Sequence, residues 1–380
     1  MRTLRLGMVG GGPGAFIGGV HRMAARLDGR WVLTAGAFSA DPATSAEFGR
    51  SLGLNPERAY GDWADMARAE ADRADGIDAV AVVTPNHLHA PICTAFLEAG
   101  VPVICDKPLT TDLASARALA EQVAKSGLPF ILTHNYSGYP MVREARALMA
   151  AGRLGPLRGV QVEYAQDWLA RDLPGNKQAD WRGDPQRAGP GGALGDIATH
   201  AYHLARFVTR APLEALSADL STFVPGRRVD DDVRVQLRFA GGARGQLWAS
   251  QVAVGATNGL RLRVFGENAG LEWAQEEPDL LRFTPLGEAP RILRRGGPGL
   301  SAAAAAATRL PAGHPEGYLE GFAQIYADAA ALVSAHRDGR APDALASLVP
   351  GVQDGVEGVA FIEAVVKSHA ADGAWTGISA

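Results

Sequence analysis

Asp196, His200 and His203 fall at i, i+4 and i+7 behind the pair Gly191-Gly192. At about 100° per residue these positions share one stripe of a helix. Leu194, Ile197, Ala201, Leu204 and Val208 form a separate apolar stripe roughly a quarter turn away. The ionisable stripe therefore flanks the buried face, where a cleft wall would run. Three chemistries fit these residue types. The cluster can be a hydrogen-bonded structural flank. It can hold a metal, since carboxylate and imidazole suit zinc, although no glutamate stands at the spacing of the helical zinc motifs that activate water. Or it can move protons: a neutral His200, with an ordinary pKa of about 6.5, accepts one near neutral pH, and Asp196 one turn away orients the ring.

Lys107 is a second candidate, set between Asp106 and Pro108 at the end of an apolar run. An ordinary lysine has a pKa of about 10.4 and begins protonated. Burial and a neighbouring positive charge lower that value. A lysine so placed can hold an alcohol oxygen, stabilise the alkoxide and pass its proton on. A solvated surface lysine is the bland alternative.

The third pattern is Gly10-Gly11-Gly12-Pro13-Gly14-Ala15-Phe16, between the apolar run Leu4–Val9 and a helical stretch around Val20–Ala25. Gly10-x-Gly12-x-x-Ala15 fits G-x-G-x-x-[G/A], and strand, glycine turn and helix form the context in which that motif binds a dinucleotide. The first glycine allows the tight turn, and the second lets the backbone approach a pyrophosphate. The helix start then offers N–H groups and a positive dipole end. Gly10, Gly12, Gly14, Ala15 and Phe16 are the expected phosphate turn. The next strand, Trp31–Phe38, ends at Ser39 and Asp41, where a polar or acidic side chain would meet a ribose. No arginine stands in that turn, which favours NAD, with NADP the alternative. Asp41-Pro42 can equally cap the following helix, 43–52.

Elements that position these groups can be read from periodicity. Apolar runs at 77–83, 101–105 and 129–133 alternate with helical stretches at 91–99 and 113–125. That order predicts a doubly wound parallel sheet, with ligands at the carboxyl ends of its strands. Thr84 to His89, Asp106-Lys107-Pro108 and His134-Asn135-Tyr136 all fall at such ends. Beyond Thr133 the alternation fades. Strand patterns dominate 216–283, and Val233–Phe239 alternates strictly, so a mixed, mostly antiparallel sheet with one open face is expected. The fold class is α/β, with a nucleotide-binding domain at 1–133 and a substrate and assembly domain at 134–380. Helices at 318–336 and 354–369 close the chain.

Composition narrows the function classes. A formal net charge of -4 and no long basic block argue against nucleic acid. Only two cysteines, Cys93 and Cys105, occur, in no metal or redox spacing. A reducing compartment follows as the simpler expectation. No apolar run reaches the roughly 18–20 residues that span a bilayer. The N-terminus shows no signal-peptide anatomy, so a cytoplasmic location is expected. Glycine is in excess, 46 of 380 residues, and clusters at the phosphate turn and before Asp196.

Taken in order, these motifs resemble the glucose–fructose oxidoreductase / inositol dehydrogenase family, Gfo/Idh/MocA. The likeness rests on the glycine loop, Thr84-Pro85-Asn86-His87-Leu88-His89, Asp106-Lys107-Pro108, Trp181-Arg182 and Gly192-x-x-x-Asp196-x-x-x-His200. It implies a Rossmann domain joined to an open-sheet α+β domain, and NAD(P)-dependent oxidation of a secondary hydroxyl on a sugar or cyclic polyol. By position, Lys107 resembles the family's catalytic lysine, and Asp196 and His200 its substrate-binding and proton-transfer pair. Thr84, Asn86, His89, Asp106 and Asn135 fall where the family holds its cofactor. Trp181 and Arg182 resemble a loop near nicotinamide and substrate. Tyr136, Asp167, Trp168, Arg182 and His314 are further substrate candidates, aromatic faces suiting a sugar ring and polar groups its hydroxyls. Asp106 stands where the family has glutamate, and His134-Asn135-Tyr136 replaces an arginine-containing segment. No metal is expected. The resemblance also implies a dimer or tetramer built through the open sheet. A relative's alternative chemistry, hydride recycling in a glycoside hydrolase or epimerase-like enzyme, is the second expectation, and a non-catalytic NAD(H) sensor a third.

Overall fold

The computed structural model of the chain describes residues 2–378, without the side chains of residues 177 and 178. The chain runs β1 (Leu4–Gly10), α1 (Phe16–Leu27), β2 (Trp31–Ala37), α2 (Pro42–Ser51), α3 (Trp63–Asp72), β3 (Ala79–Val83), α4 (His89–Glu98), β4 (Val103–Cys105), α5 (Leu113–Ser126) and β5 (Phe130–Leu132). It continues with α6 (Pro140–Ala150), β6 (Leu157–Ala165), α7 (Lys177–Arg182), α8 (Pro185–Ala188), a π-turn (Leu194–Ala198) and α9 (Thr199–Thr209). Then come β7 (Leu213–Ser221), β8 (Asp232–Phe239), β9 (Arg244–Ser250), β10 (Gly259–Gly266), β11 (Ala269–Ala274), β12 (Leu280–Pro285) and β13 (Arg291–Arg294). The chain closes with α10 (Ala302–Ala307), α11 (Tyr318–Arg337), α12 (Val352–Ala370) and β14 (Thr376–Gly377). Two compact units result: Met1–Asn135 with Tyr318–Val356, and Tyr136–Gly317 with Glu357–Ala380.

The first unit holds a parallel sheet in the order β2-β1-β3-β4-β5. Every residue of β3, Ala79 to Val83, is buried, as expected of a strand covered on both faces. The strand order reverses at β1, which pairs with β2 on one side and β3 on the other, so the ligand crevice of this fold lies at their carboxyl ends. A linear cut at residue 133 leaves α11 with the second domain, whereas in the structure α11 packs in the first unit. Its Phe322, Ile325, Tyr326, Ala329 and Val333 join Leu4, Leu6, Val20, Ala24 and Trp31 in one buried cluster. Polar ties fix the register: Trp31 Nε1 donates to the Tyr326 carbonyl at 2.8 Å, and His21 Nδ1 lies 2.7 Å from the Tyr326 hydroxyl.

The second unit is built on a nine-stranded sheet, β13-β12-β11-β10-β6-β9-β8-β7-β14. Only β6 and β9 pair in parallel; all other neighbours are antiparallel. In β8 the buried Val233, Val235, Leu237 and Phe239 alternate with Arg234, Gln236 and Arg238, so one face enters the core and the other faces out. α9 packs on β6, β9 and β10 through its own buried face. Among the described residues no helix is long and apolar enough to cross a membrane.

Candidate active site

In the first unit the loop after β1 is pinned by its own glycines. Gly11 N donates to the Val83 carbonyl at 3.1 Å, which joins the loop to the end of β3. Gly10 has φ +82°, and a Cβ there would stand 2.4 Å from the Val83 oxygen. A Cβ on Gly12 would stand 2.3 Å from the Phe38 oxygen. Both positions therefore require glycine through close backbone contact, before any ligand is considered. α1 begins at Phe16 behind Ala15, with no side-chain cap and no acid in its first turn, so its positive end is open to an anion. Gly14, in the left-handed region, and the exposed Phe16 form the rim.

Asp41 takes the capping alternative in the structure: its carboxylate accepts from Thr44 N at 2.7 Å at the start of α2. That contact holds its pKa below the usual carboxylate value. Its own N–H donates to Ser39 Oγ at 3.1 Å, which fixes the tip of the turn.

The strand-end segments are tied to one another. Asp106 Oδ1 accepts from Lys107 N and from Thr133 Oγ1, both at 2.8 Å, so the turn that carries Lys107 is fastened to the end of β5. The Lys107–Pro108 peptide bond is cis. His89 is fully buried, with Nδ1 2.8 Å from the Pro108 oxygen and Nε2 2.9 Å from the Thr84 oxygen. Burial holds its pKa below the ordinary histidine value. The neutral ring carries a single N–H, so it donates to one of these two carbonyls and packs against the other, between the two strand-end turns. Asn86 is buried in the same stretch. Two buried polar atoms, Thr84 Oγ1 and Asn135 Nδ2, have no hydrogen-bond partner among the described residues. Buried polar groups are normally satisfied. Orphaned polar atoms at strand ends, with an open helix N-terminus, fit a polar, phosphate-bearing ligand.

In the second unit the helix expected from Gly191 onward is not a straight α-helix. Residues 194–198 form a π-turn, closed by Thr199 N on the Leu194 carbonyl. An i→i+5 turn holds one more residue than an α-turn, so the 100° stripe of Asp196, His200 and His203 does not carry across it. Among the described residues no three His, Cys, Asp or Glu side chains come together in an array that could hold a metal ion.

Asp196 instead gathers donors. Arg182 Nε donates to its Oδ2 at 3.1 Å, and Gln251 Nε2 donates to the same oxygen at 2.9 Å. The Arg182 guanidinium lies over Trp181, 4.5 Å from the ring centre, and 5.9 Å from that of Trp168. Gln251 is 2% exposed and was not marked by sequence; its partner is 55 residues away, and no local spacing signals it. The His200 ring, 9% exposed, meets Tyr136 edge-on at 5.0 Å and Tyr164 at 6.3 Å.

A chain of hydrogen bonds runs from Trp168 to Tyr136. Trp168 Nε1 donates to Gln166 Oε1 at 3.1 Å, and Gln166 Nε2 donates to Asn258 Oδ1 at 2.7 Å. Tyr164 donates to that same oxygen at 2.9 Å and lies 2.5 Å from the Tyr136 hydroxyl. Burial pushes the Tyr136 phenol well above the ordinary tyrosine value, so it stays protonated. Other candidates have different neighbourhoods. Asp167 Oδ2 accepts from Gly255 N at 3.0 Å and anchors a loop. His314 is exposed, and its backbone oxygen accepts from the buried Arg295.

Known proteins share this architecture. The model of the oxidoreductase family GFO/IDH/MocA, with an NAD-binding Rossmann fold, matches residues 4–134, and the model of the GFO/IDH/MocA C-terminal domain matches residues 142–272. The uncharacterized oxidoreductase YfiI of Bacillus subtilis is 36% identical over 98% of this chain and 96% of its own. Levoglucosan dehydrogenase of Pseudarthrobacter phenanthrenivorans is 31% identical over 74% of this chain and 76% of its own. A crystal structure of an inositol dehydrogenase homolog from Azotobacter vinelandii with NAD+ superposes with a TM-score of 0.93, 38% identity, and coverage of 99% and 97%. The same homolog with NADH and myo-inositol gives 0.91, 36%, 99% and 98%.

Proposed function

This chain belongs to the GFO/IDH/MocA oxidoreductase family, and on that premise we propose that it oxidises a secondary hydroxyl of a sugar, sugar derivative or cyclic polyol, with NAD rather than NADP as its partner. NAD, when bound, supplies the acceptor for the hydride that leaves the carbon being oxidised. Gly10, Gly12, Gly14, Ala15 and Phe16 seat the pyrophosphate at the start of α1. Ser39 and Asp41 border the ribose. Thr84, Asn86, His89, Asp106 and Asn135 line the strand ends, where Thr84 Oγ1 and Asn135 Nδ2 find partners. Lys107 holds the reacting hydroxyl oxygen and stabilises negative charge on it. His200 takes the proton that leaves that oxygen. Asp196 binds a neighbouring hydroxyl, while Trp181, Arg182, Trp168 and Tyr136 border the ring.

The observation that carries the reading is the Asp196 carboxylate, oriented by Arg182 and Gln251 within one unit. A carboxylate oriented by two donors suits the recognition of paired hydroxyls. Two relatives, one named for an anhydrosugar and one solved with an inositol, support the substrate class. We further propose a dimer or tetramer through the outward face of the sheet, where Glu163, Arg234, Arg261 and Arg263 are displayed.

The test is a parallel screen of sugars, anhydrosugars, glycosides and inositols, following NADH and NADPH absorbance. Accumulation of NADH with a polyol is the expected result. Substrate conversion without net NADH overturns simple dehydrogenation in favour of cofactor recycling. No turnover with any polyol overturns the substrate class.

A further inference from the structure

Asp230 lies outside every motif that the sequence offers, yet three successive N–H groups at the start of the Asp196 segment end on it. Gly192 N donates to its Oδ1 at 2.7 Å, and Leu194 N donates to its Oδ2 at 2.8 Å. Between them, Ala193 N donates to its backbone carbonyl at 3.0 Å. A helix start normally leaves these donors to a cap or to water. Here one residue, two positions before β8, takes all three.

Close packing enforces this arrangement. A Cβ on Gly192 would stand 2.2 Å from the Asp230 carbonyl oxygen, so only glycine allows the approach. Asp230 is 6% exposed, and its carboxyl is held in a place that costs desolvation. A simple cap on a solvated helix would not need that burial.

The clamped residues lead directly to the reactive ones. The Gly192 carbonyl accepts from Asp196 N at 3.0 Å, and the Leu194 carbonyl accepts from Thr199 N to close the π-turn. Thr199 precedes His200. Asp230 thus fixes residues 192 and 194 by their N–H groups, and the carbonyls of those same residues fix the backbone of Asp196 and of the residue before His200. The adjoining Asp231 carbonyl accepts from Gln251 N at 2.9 Å, so the same segment also sets the backbone of the residue that donates to Asp196.

We propose that Asp230 is a positioning residue for this site, clamping the start of the π-turn so that Asp196 and His200 are presented together. The proposal rests on the reading of Asp196 and His200 as the substrate-binding and proton-transfer pair. Asp230 acts through them and has no contact with substrate in this scheme.

A double-mutant cycle tests it, with kcat and KM measured on the polyol of highest turnover in the screen above, myo-inositol and levoglucosan included. Asp230→Ala lowers kcat/KM by about 100-fold, the scale on which small misplacements act. Asp230→Asn keeps one acceptor oxygen and lowers it by about 10-fold. In a His200→Ala background, Asp230→Ala costs about 10-fold or less, the part that acts through Asp196, because a residue acting through another is not additive with it. NADH affinity, read by fluorescence titration, stays within about two-fold. Fully additive losses, or parental kcat/KM in Asp230→Ala, overturn the proposal. If Asp230→Ala does not fold, the cycle is run with Asp230→Asn. Hydrogen exchange supplies a readout independent of turnover: amides 192–194 exchange faster in Asp230→Asn. Unchanged exchange there overturns the clamp. His200→Ala turning over like the parent overturns the acid/base reading instead.

Discussion

Tyr136 donates its phenolic proton to Tyr164 across 2.5 Å, and the direction of that bond is set four residues along the chain of contacts, at Trp168. An indole N–H can only donate, so Gln166 must turn its carbonyl to Trp168 and its amide nitrogen to Asn258. Asn258 must then present Oδ1, and Tyr164 must donate to it. The single Tyr164 proton is thereby used, and Tyr164 accepts from Tyr136. The Tyr136 oxygen, beside His200, is left with acceptor capacity only. It suits a hydroxyl or an imidazolium and cannot donate to a carbonyl without breaking the chain.

Tyr164→Phe tests that polarity. It removes the acceptor of the Tyr136 proton and leaves a buried phenol to find another, which costs about 1–3 kcal/mol of stability. Urea unfolding should show this loss. The Tyr136 proton then becomes available to a carbonyl oxygen. The expected signature is a lower KM for the ketone in the reverse reaction and a higher KM for the alcohol. Equal changes in both directions would contradict the assigned polarity.

Lys107 and Thr133 make a contrasting pair, since Asp106 holds the backbone of one and the hydroxyl of the other. Lys107→Ala should lower kcat by about 10³-fold with NAD affinity within a few-fold, if lysine acts mainly in the transition state. Thr133→Val removes one hydrogen bond to Asp106, costs about 1 kcal/mol of stability, and lowers kcat only several-fold. Steady-state kinetics with thermal unfolding separates them. A Thr133→Val enzyme as slow as Lys107→Ala would show that the tether, not the ammonium, carries the effect.

The glycine turn between strand and helix and the strand end at Lys107 can be located because each announces itself within a few residues; the helical spacing that singles out Asp196 and His200 is not kept across the π-turn. The parallel and antiparallel halves were legible for the same reason, since burial on two faces or one leaves different periods in the sequence. What was not legible depends on distant pairing. The partners His21 and Tyr326 are 305 residues apart, and Asp230 meets Gly192 across 38. Only the folded chain brings α11 to α1. The π-turn was hidden too. Its inserted residue changes the angle between Asp196 and His200 without altering a single residue type.

His21 gives a pH prediction. Burial pushes its imidazole down to about 4, opposed by the charge of Asp106 and assisted by Arg22 and His89. The folded state therefore binds fewer protons than the unfolded one between about pH 4 and 6.5. Stability from this group is fully present above pH 6.5 and is lost as pH falls toward 4, by up to about 3 kcal/mol. Asp230 works in the opposite sense: burial raises its carboxyl to about 6, so its contribution falls as pH rises from about 4 to 6. In denaturant titrations across this window, His21→Phe should flatten the acid-side loss, and Asp230→Asn should steepen it. Parallel curves for either variant and the parent would rule out the assigned titration.

Gln251 and Arg182 share one oxygen of Asp196, and their removal should differ in kind. Gln251→Leu replaces a buried amide with an apolar side chain of similar size and deletes one neutral donor. The loss is about 1 kcal/mol, or roughly five-fold in kcat/KM. Arg182→Ala deletes a charge-assisted bond and the surface that covers Trp181, so about 2–3 kcal/mol, or 30- to 150-fold, is expected. Because both donors act on the same atom, the double variant should fall short of the summed losses. NADH titration should be unchanged in Gln251→Leu, whose side chain lies wholly within the second unit. A Gln251→Leu enzyme with parental kcat/KM would mean that Asp196 needs only Arg182, and that the glutamine serves packing alone. Weakened NADH binding would instead place Gln251 among the cofactor contacts.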